Sequence, residues 1–122
     1  MGYYQVRADV EKNRLYVVAK GFLTDEEIKV VADSHIEELK KLKKGFDVIG
    51  EIAEFSVVSQ KGTQEFSRVH KAFREKGLSR SIVIVGDSLA RMQVQRKARE
   101  SGITDEYAAS VEEAERMLDK TA

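Results

Sequence analysis

The run from Ser81 to Val85 contains four β-branched residues in succession. Such side chains pack well on the pleated surface of a strand, and a strand without polar alternation has both of its faces covered. Because helical patterns lie on either side of this run, the strand is predicted to lie parallel to its neighbours between layers of helices. The chain is therefore predicted to belong to the α/β class.

The start of the chain predicts a different kind of strand. Alternate residues from Tyr4 to Val10 are apolar, as in an edge strand with one face in water. After the polar turn 11–13, residues 15–19 are apolar on both faces, which indicates a more central strand. These two strands are expected to pair antiparallel, so that the sheet is mixed.

Capping signals mark where two of the helices begin. Thr24-Asp25-Glu26-Glu27 has the spacing of a capping box, in which the threonine hydroxyl and the glutamate carboxylate each bind a backbone amide. Apolar residues at three- and four-residue intervals extend this helix to about residue 44, before Gly45. Ser110-Val111-Glu112-Glu113 predicts the start of the last helix in the same way.

The remaining elements follow from the same patterns. Residues 46–52 are predicted to form the third strand, and a second helix is predicted to follow Gly62 and end at Gly77. A third helix is predicted over residues 87–102, ahead of a short strand at 107–109. The predicted order is β-β-α-β-α-β-α-β-α, with a mixed sheet of about five strands and four helices in a single domain spanning residues 1–122.

Composition limits the classes of function. The chain has no cysteine and two histidines far apart in sequence, which gives no disulfide, no thiolate nucleophile and no ligand spacing for a metal. Residues 1–4 lack a signal-peptide profile and no apolar run approaches the roughly 18 residues of a membrane span, so a cytoplasmic protein is expected. No glycine-rich phosphate-binding fingerprint occurs, and no cofactor is expected.

Charge is balanced overall but unevenly placed. Residues 61–99 hold ten basic and three acidic side chains, a net charge of +7, and the rest of the chain carries the compensating negative charge. A basic segment can attract an acidic partner. The solvated faces of adjacent helices also account for this charge, and a nucleic-acid partner is not expected.

The segment Gly86-Asp87-Ser88-Leu89 matches in letters the nucleophile block of the GDSL hydrolases. A serine nucleophile needs a histidine base, which in that family lies near the C-terminus in an Asp-x-x-His block. Here His35 and His70 both precede Ser88, and that block is missing. Asp87 and Ser88 are therefore interpreted as helix caps, and no enzymatic activity or catalytic residue is predicted.

Three short segments stand where particular elements begin. They are Gly21-Phe22-Leu23-Thr24 before the first helix, Gly45-Phe46-Asp47-Val48 before the third strand, and Ser110-Val111-Glu112-Glu113-Ala114 at the last helix. With the order of the elements, these segments resemble the STAS fold of the anti-sigma-factor antagonists, the SpoIIAA-like proteins, over nearly the full chain. The resemblance implies a non-catalytic regulatory module that binds a protein partner.

The resemblance also implies where the partner binds. In that family the third strand leads into a loop with an Asp-Ser-(Ser/Thr)-Gly motif at the start of the second helix, where phosphorylation of a serine switches partner binding. The matching stretch here is Ser59-Gln60-Lys61-Gly62, with glutamine at the position of the phosphorylated serine. The implied partner-binding residues are Ser56, Ser59, Gln60, Lys61, Gly62 and Thr63.

SpoIIAA-like proteins also resemble the lipid-carrying SEC14 domains, which implies an alternative function as a carrier of a small apolar ligand or lipid. The lining residues would be Phe46, Phe55, Phe66 and Phe73. Aromatic residues at such spacings are more often part of an ordinary core, and that interpretation is favoured.

Overall fold

In the computed structural model, which describes residues 2–51, 55–56, 60–84 and 105–120, the chain forms six strands and three helices. In chain order they are β1 (Tyr3–Asp9), β2 (Arg14–Phe22), α1 (Asp25–Leu39), β3 (Asp47–Glu51), β4 (Phe55–Ser56), α2 (Gln60–Lys76), β5 (Arg80–Ile84), β6 (Asp105–Ala108) and α3 (Val111–Asp119). The helix predicted over residues 87–102 lies outside the described residues.

The main sheet has the strand order β1-β2-β3-β5-β6. β1 and β2 pair antiparallel, with Tyr3 opposite Lys20 and Asp9 opposite Arg14, and every other neighbouring pair is parallel. β4 pairs in parallel with the end of β2, where Phe22 lies opposite Ser56. The predicted α/β class, the mixed sheet and the opening antiparallel hairpin are confirmed.

The first helix begins at the predicted capping box. The Thr24 hydroxyl accepts a hydrogen bond from the Glu27 amide at 3.2 Å, and the Glu27 carboxylate accepts one from the Thr24 amide at 3.0 Å. The predicted end of this helix near residue 44 is wrong, because α1 stops at Leu39. The Leu42 amide donates to the Leu39 carbonyl, three residues earlier, at 3.0 Å, so the chain continues past α1 in tight turns. Leu42 is nevertheless buried, at a spacing that a continued helix would also give.

Helices cover both faces of the sheet. α1 and α2 pack together over one face, where the largest buried cluster contains Leu15, Val17, Ala32, Leu39, Leu42, Phe46, Val48, Val69 and Phe73. α3 covers part of the other face, in a cluster that contains Ile49, Ile82, Ala108, Ala114 and Leu118. Among the described residues, no helix has the length and apolarity needed to cross a membrane.

The last predicted strand and helix are also present. β6 begins two residues before the predicted position 107. The Ser110 hydroxyl accepts a hydrogen bond from the Glu113 amide at 3.1 Å, and the Glu113 carboxylate reaches the Ala109 amide at 2.9 Å. In a capping box the glutamate would accept from the amide of the cap residue, Ser110, whereas here it accepts from the amide of the residue before it. The motif therefore still satisfies two backbone amides.

Candidate partner-binding surface

The residues implied by the STAS resemblance lie in two different elements. Gln60, Lys61, Gly62 and Thr63 form the first turn of α2, so the predicted loop up to residue 63 is shorter and the helix begins before Gly62. The backbone of Ser56 lies in β4, and Ser59 lies outside the described residues. Gln60, Lys61 and Thr63 are exposed, whereas Gly62 is buried against the rest of the protein.

An exposed aromatic residue outside the predicted site lies next to Ser56. Phe22 is 55% exposed and is paired with Ser56 at the end of β2. Only three residues lie between Ser56 and Gln60, a stretch of chain that spans at most about 14 Å. The end of β2 and the start of α2 are therefore at most roughly 20 Å apart, and Phe22, Ser56 and Gln60–Thr63 together are called the α2 entry surface.

The charge at the start of α2 differs from that at the starts of the other described helices. The first turn of α1 contains Asp25, Glu26 and Glu27, and that of α3 contains Glu112 and Glu113. The first turn of α2 has no acidic residue and carries Lys61. Backbone amides make a helix N-terminus electropositive, and here the charge of Lys61 has the same sign. No carboxylate in this turn offsets these positive charges.

Both histidines belong to the helical layer. His35 is 4% exposed, its Nδ1 lies 2.8 Å from the Val31 carbonyl oxygen, and its ring centroid is 5.9 Å from that of Phe73. Burial lowers the pKa of His35 to about 4, so its ring is neutral near pH 7. Burial, followed by the nearby charge of Arg74, also lowers the pKa of half-buried His70. His35 is therefore a packed core residue.

The hydrolase motif has no described geometry. Gly86 to Leu89 lies outside the described residues, and so does the position of Ser88 relative to either histidine. The interpretation of Asp87 and Ser88 as helix caps stays a prediction.

Three of the four phenylalanines considered for a ligand pocket have described side chains, and all three pack in hydrophobic clusters. Phe46 is fully buried and meets Phe73 edge-on, with ring centroids 5.9 Å apart. Phe66 is half-buried and packs against the cluster of Leu23, Ile28 and Val31. The side chain of Phe55 lies outside the described part of the chain. The contacts of the three described rings agree with the favoured interpretation of an ordinary core.

The structure also contains an ionic cluster that the sequence did not indicate. Arg14, which is 4% exposed at the start of β2, donates to Asp119 at 3.1 Å, and the Tyr16 hydroxyl donates to Glu115 at 2.5 Å. Burial, then the bond to Glu115, raises the pKa of Tyr16. Nε and Nη1 of Arg14 are buried without a hydrogen-bond partner among the described residues.

This cluster joins the beginning of the sheet to the last helix. The two hydrogen bonds connect residues 105 and 99 positions apart, so no local sequence pattern contains them. A neighbouring pair, Arg80 and Glu106, joins β5 to β6 through bonds of 2.7 and 2.5 Å. Because each cation here is already paired with a carboxylate, the cluster is interpreted as structural.

Neither a protein-family model nor a curated protein matches the chain.

Proposed function

We propose that the chain is a non-catalytic regulatory module of STAS-like type that binds a protein partner through the α2 entry surface. Two observations carry this proposal: exposed Phe22 is paired with β4, the short strand that precedes α2, and the first turn of α2 has Lys61 and no acidic side chain. Aromatic side chains and charge complementarity are typical of protein interfaces. The partner segment that fits is acidic and carries at least one apolar side chain.

A charge-reversal experiment tests the basic part of this surface. Lys61→Glu places a carboxylate in the first turn of α2, where it opposes an acidic partner and at the same time complements the helix dipole. The matched control is Lys71→Glu, the same change on the same helix about 15 Å further along, at a side chain that is 70% exposed. Gly62→Arg is a poorer probe because Gly62 is buried and the substitution also disturbs packing.

The measurement is quantitative capture of proteins from the native lysate by each immobilised variant, followed by mass spectrometry. A protein captured by the wild type and by Lys71→Glu, but reduced at least about tenfold for Lys61→Glu, identifies a partner that binds this surface. Equal capture by both variants would contradict the proposed surface, provided that both variants remain folded in the assay.

A second pair of variants tests the aromatic part. Phe22→Ser removes the exposed ring, and Val10→Ser removes a comparably exposed apolar side chain from the hairpin tip at the opposite end of β2. Partner capture is expected to fall with Phe22→Ser and to persist with Val10→Ser, since interface energy is concentrated in aromatic contacts. The same loss in both variants would indicate a general effect of apolar surface instead of a specific site.

Phosphorylation at the position that matches the family serine is not part of this proposal. Gln60 stands there and has no hydroxyl group to accept a phosphate. Partner binding by this chain is accordingly proposed to be independent of phosphorylation at residue 60.

A further inference from the structure

The outer edge of β1 has backbone groups that point away from β2. The Ala8 amide donates a hydrogen bond to Glu38 on α1 at 3.0 Å, which shows that this amide faces outward from the hairpin. Because successive residues of a strand point their amides to opposite sides, the amides and carbonyls of Tyr4 and Val6 also face outward. In the part of the chain that the structure describes, no strand pairs with this edge.

We propose that a second copy of the chain adds its own β1 antiparallel to this edge, with a two-fold axis at Gln5. In this register Tyr4 lies opposite the partner's Val6, and Val6 lies opposite the partner's Tyr4. About four backbone hydrogen bonds then form from outward-facing groups alone. The contact uses the same patch on both copies, as a two-fold dimer requires.

Glu38 selects between the possible registers. A dimer centred on Val6 would need the Ala8 amide, which already donates to the Glu38 carboxylate, and that carboxylate is also held by Lys41 at 2.6 Å. The register centred on Gln5 forms its bonds without the Ala8 amide. The occupied amide therefore disfavours the longer alternative, in the way that natural edge strands limit unwanted pairing.

The side chains on the open face of β1 are complementary in this register. The Arg7 guanidinium carbon lies 4.6 Å from the centroid of the Tyr16 ring on the neighbouring strand. The register places the partner's Tyr3 on the other side of Arg7, and Tyr3 in its own chain lies opposite Lys20. Rings and cations then alternate across the dimer, in the order Tyr16, Arg7, the partner's Tyr3 and the partner's Lys20. The Tyr3 ring, which is 56% exposed in the single chain, gains contact with the partner's Arg7.

A single engineered thiol tests the register directly, because the chain has no cysteine of its own. Gln5→Cys places two thiols on the two-fold axis in a non-hydrogen-bonded pair, where the Cα atoms are about 4.5 Å apart and a disulfide can form. In the control Val10→Cys, the thiol is exposed, but the register separates the two copies by roughly 33 Å.

Mild oxidation followed by a non-reducing gel gives the result. The proposal expects rapid cross-linking of Gln5→Cys and only slow cross-linking of Val10→Cys by random collision. Equal rates for the two variants would overturn the proposed register. The α2 entry surface is not involved, so this outcome is independent of the proposed function.

Sedimentation velocity over a wide range of concentration tests the dimer without a cross-link. The wild type is expected to dimerise, Tyr3→Ser to raise the dimer dissociation constant roughly tenfold by removing two cation–π contacts, and Val6→Pro to remove an outward-facing donor from each copy. The control Val6→Thr keeps that donor. A wild type that stays monomeric at every concentration, or a Tyr3→Ser variant as dimeric as the wild type, would overturn the proposal.

Discussion

Lowering the pH from about 7 to about 5 is expected to weaken the fold through His35. Its ring is buried beside Phe73, and burial lowers the pKa of the folded-state ring to about 4 from its ordinary value of 6.5. The unfolded chain therefore takes up this proton first as the pH falls. The stability linked to His35 is complete above about 6.5 and is lost progressively as the pH falls toward about 4.

The size of the effect follows from the difference in pKa. Each unit corresponds to about 1.4 kcal/mol, so the full difference between the folded and unfolded states corresponds to about 3 kcal/mol. Between about pH 7 and about pH 5, the expected loss in the free energy of unfolding is about 2 kcal/mol. The fold also lowers the pKa values of Glu27, Glu38 and Glu106, and these carboxylates change the free energy of unfolding mainly below their ordinary pKa of 4.5.

The assay is urea unfolding at a series of pH values for the wild type and for His35→Leu, which cannot titrate at this position. The leucine variant loses the contact to the Val31 carbonyl, so its absolute stability differs, but its slope with pH is expected to be shallower by about 1 kcal/mol per unit. His70→Gln is the control and is expected to retain the His35 contribution. The same slope in the wild type and His35→Leu would refute the reasoning.

Substitutions at three positions test the local structure, each by urea unfolding at neutral pH. Thr24→Ala removes the hydroxyl that caps α1 and is expected to cost about 1 kcal/mol, whereas Thr24→Ser is expected to cost little. Gly45→Ala is expected to destabilise by about 1 kcal/mol through backbone strain, because φ at Gly45 is +87° and an added Cβ would meet no atom within 4 Å. Gly45→Asn is expected to cost less, because asparagine adopts positive φ more readily than alanine. Arg14→Met is expected to destabilise by roughly 1–3 kcal/mol because it removes the cation that Asp119 and Glu115 contact, and a variant as stable as the wild type would contradict this.

The alternative function as a ligand carrier has a separate check. Native mass spectrometry of the protein purified from its own source is expected to show the bare chain, because Phe46 and Phe73 pack against each other in the core. A co-purifying apolar ligand of fixed mass would contradict the assignment of these rings to the core and favour a carrier.

The elements that depend on short-range chemistry were predictable. Each of these elements is recognisable from a few consecutive residues. The examples are the alternate apolar residues of β1, the β-branched run of β5 and the capping box at Thr24. The burial of His35 was predictable as well, because it shares a helix face with Ile28 and Leu39. Errors occurred at helix ends, where Leu42 is buried by a tight turn and where α2 begins at Gln60 instead of after Gly62.

What the sequence determined by itself is the class of fold and the hairpin, because hydrophobic periodicity and capping act over neighbouring residues. The place of the candidate surface came from the resemblance to the STAS fold and stays a prediction. Only the tertiary structure decided that Phe22 lies exposed beside Ser56, that Arg14 meets Asp119, and that Glu38 occupies an amide of the edge strand. These contacts join residues 30 to 105 positions apart. They depend on how the helices pack across the sheet, which no local pattern specifies.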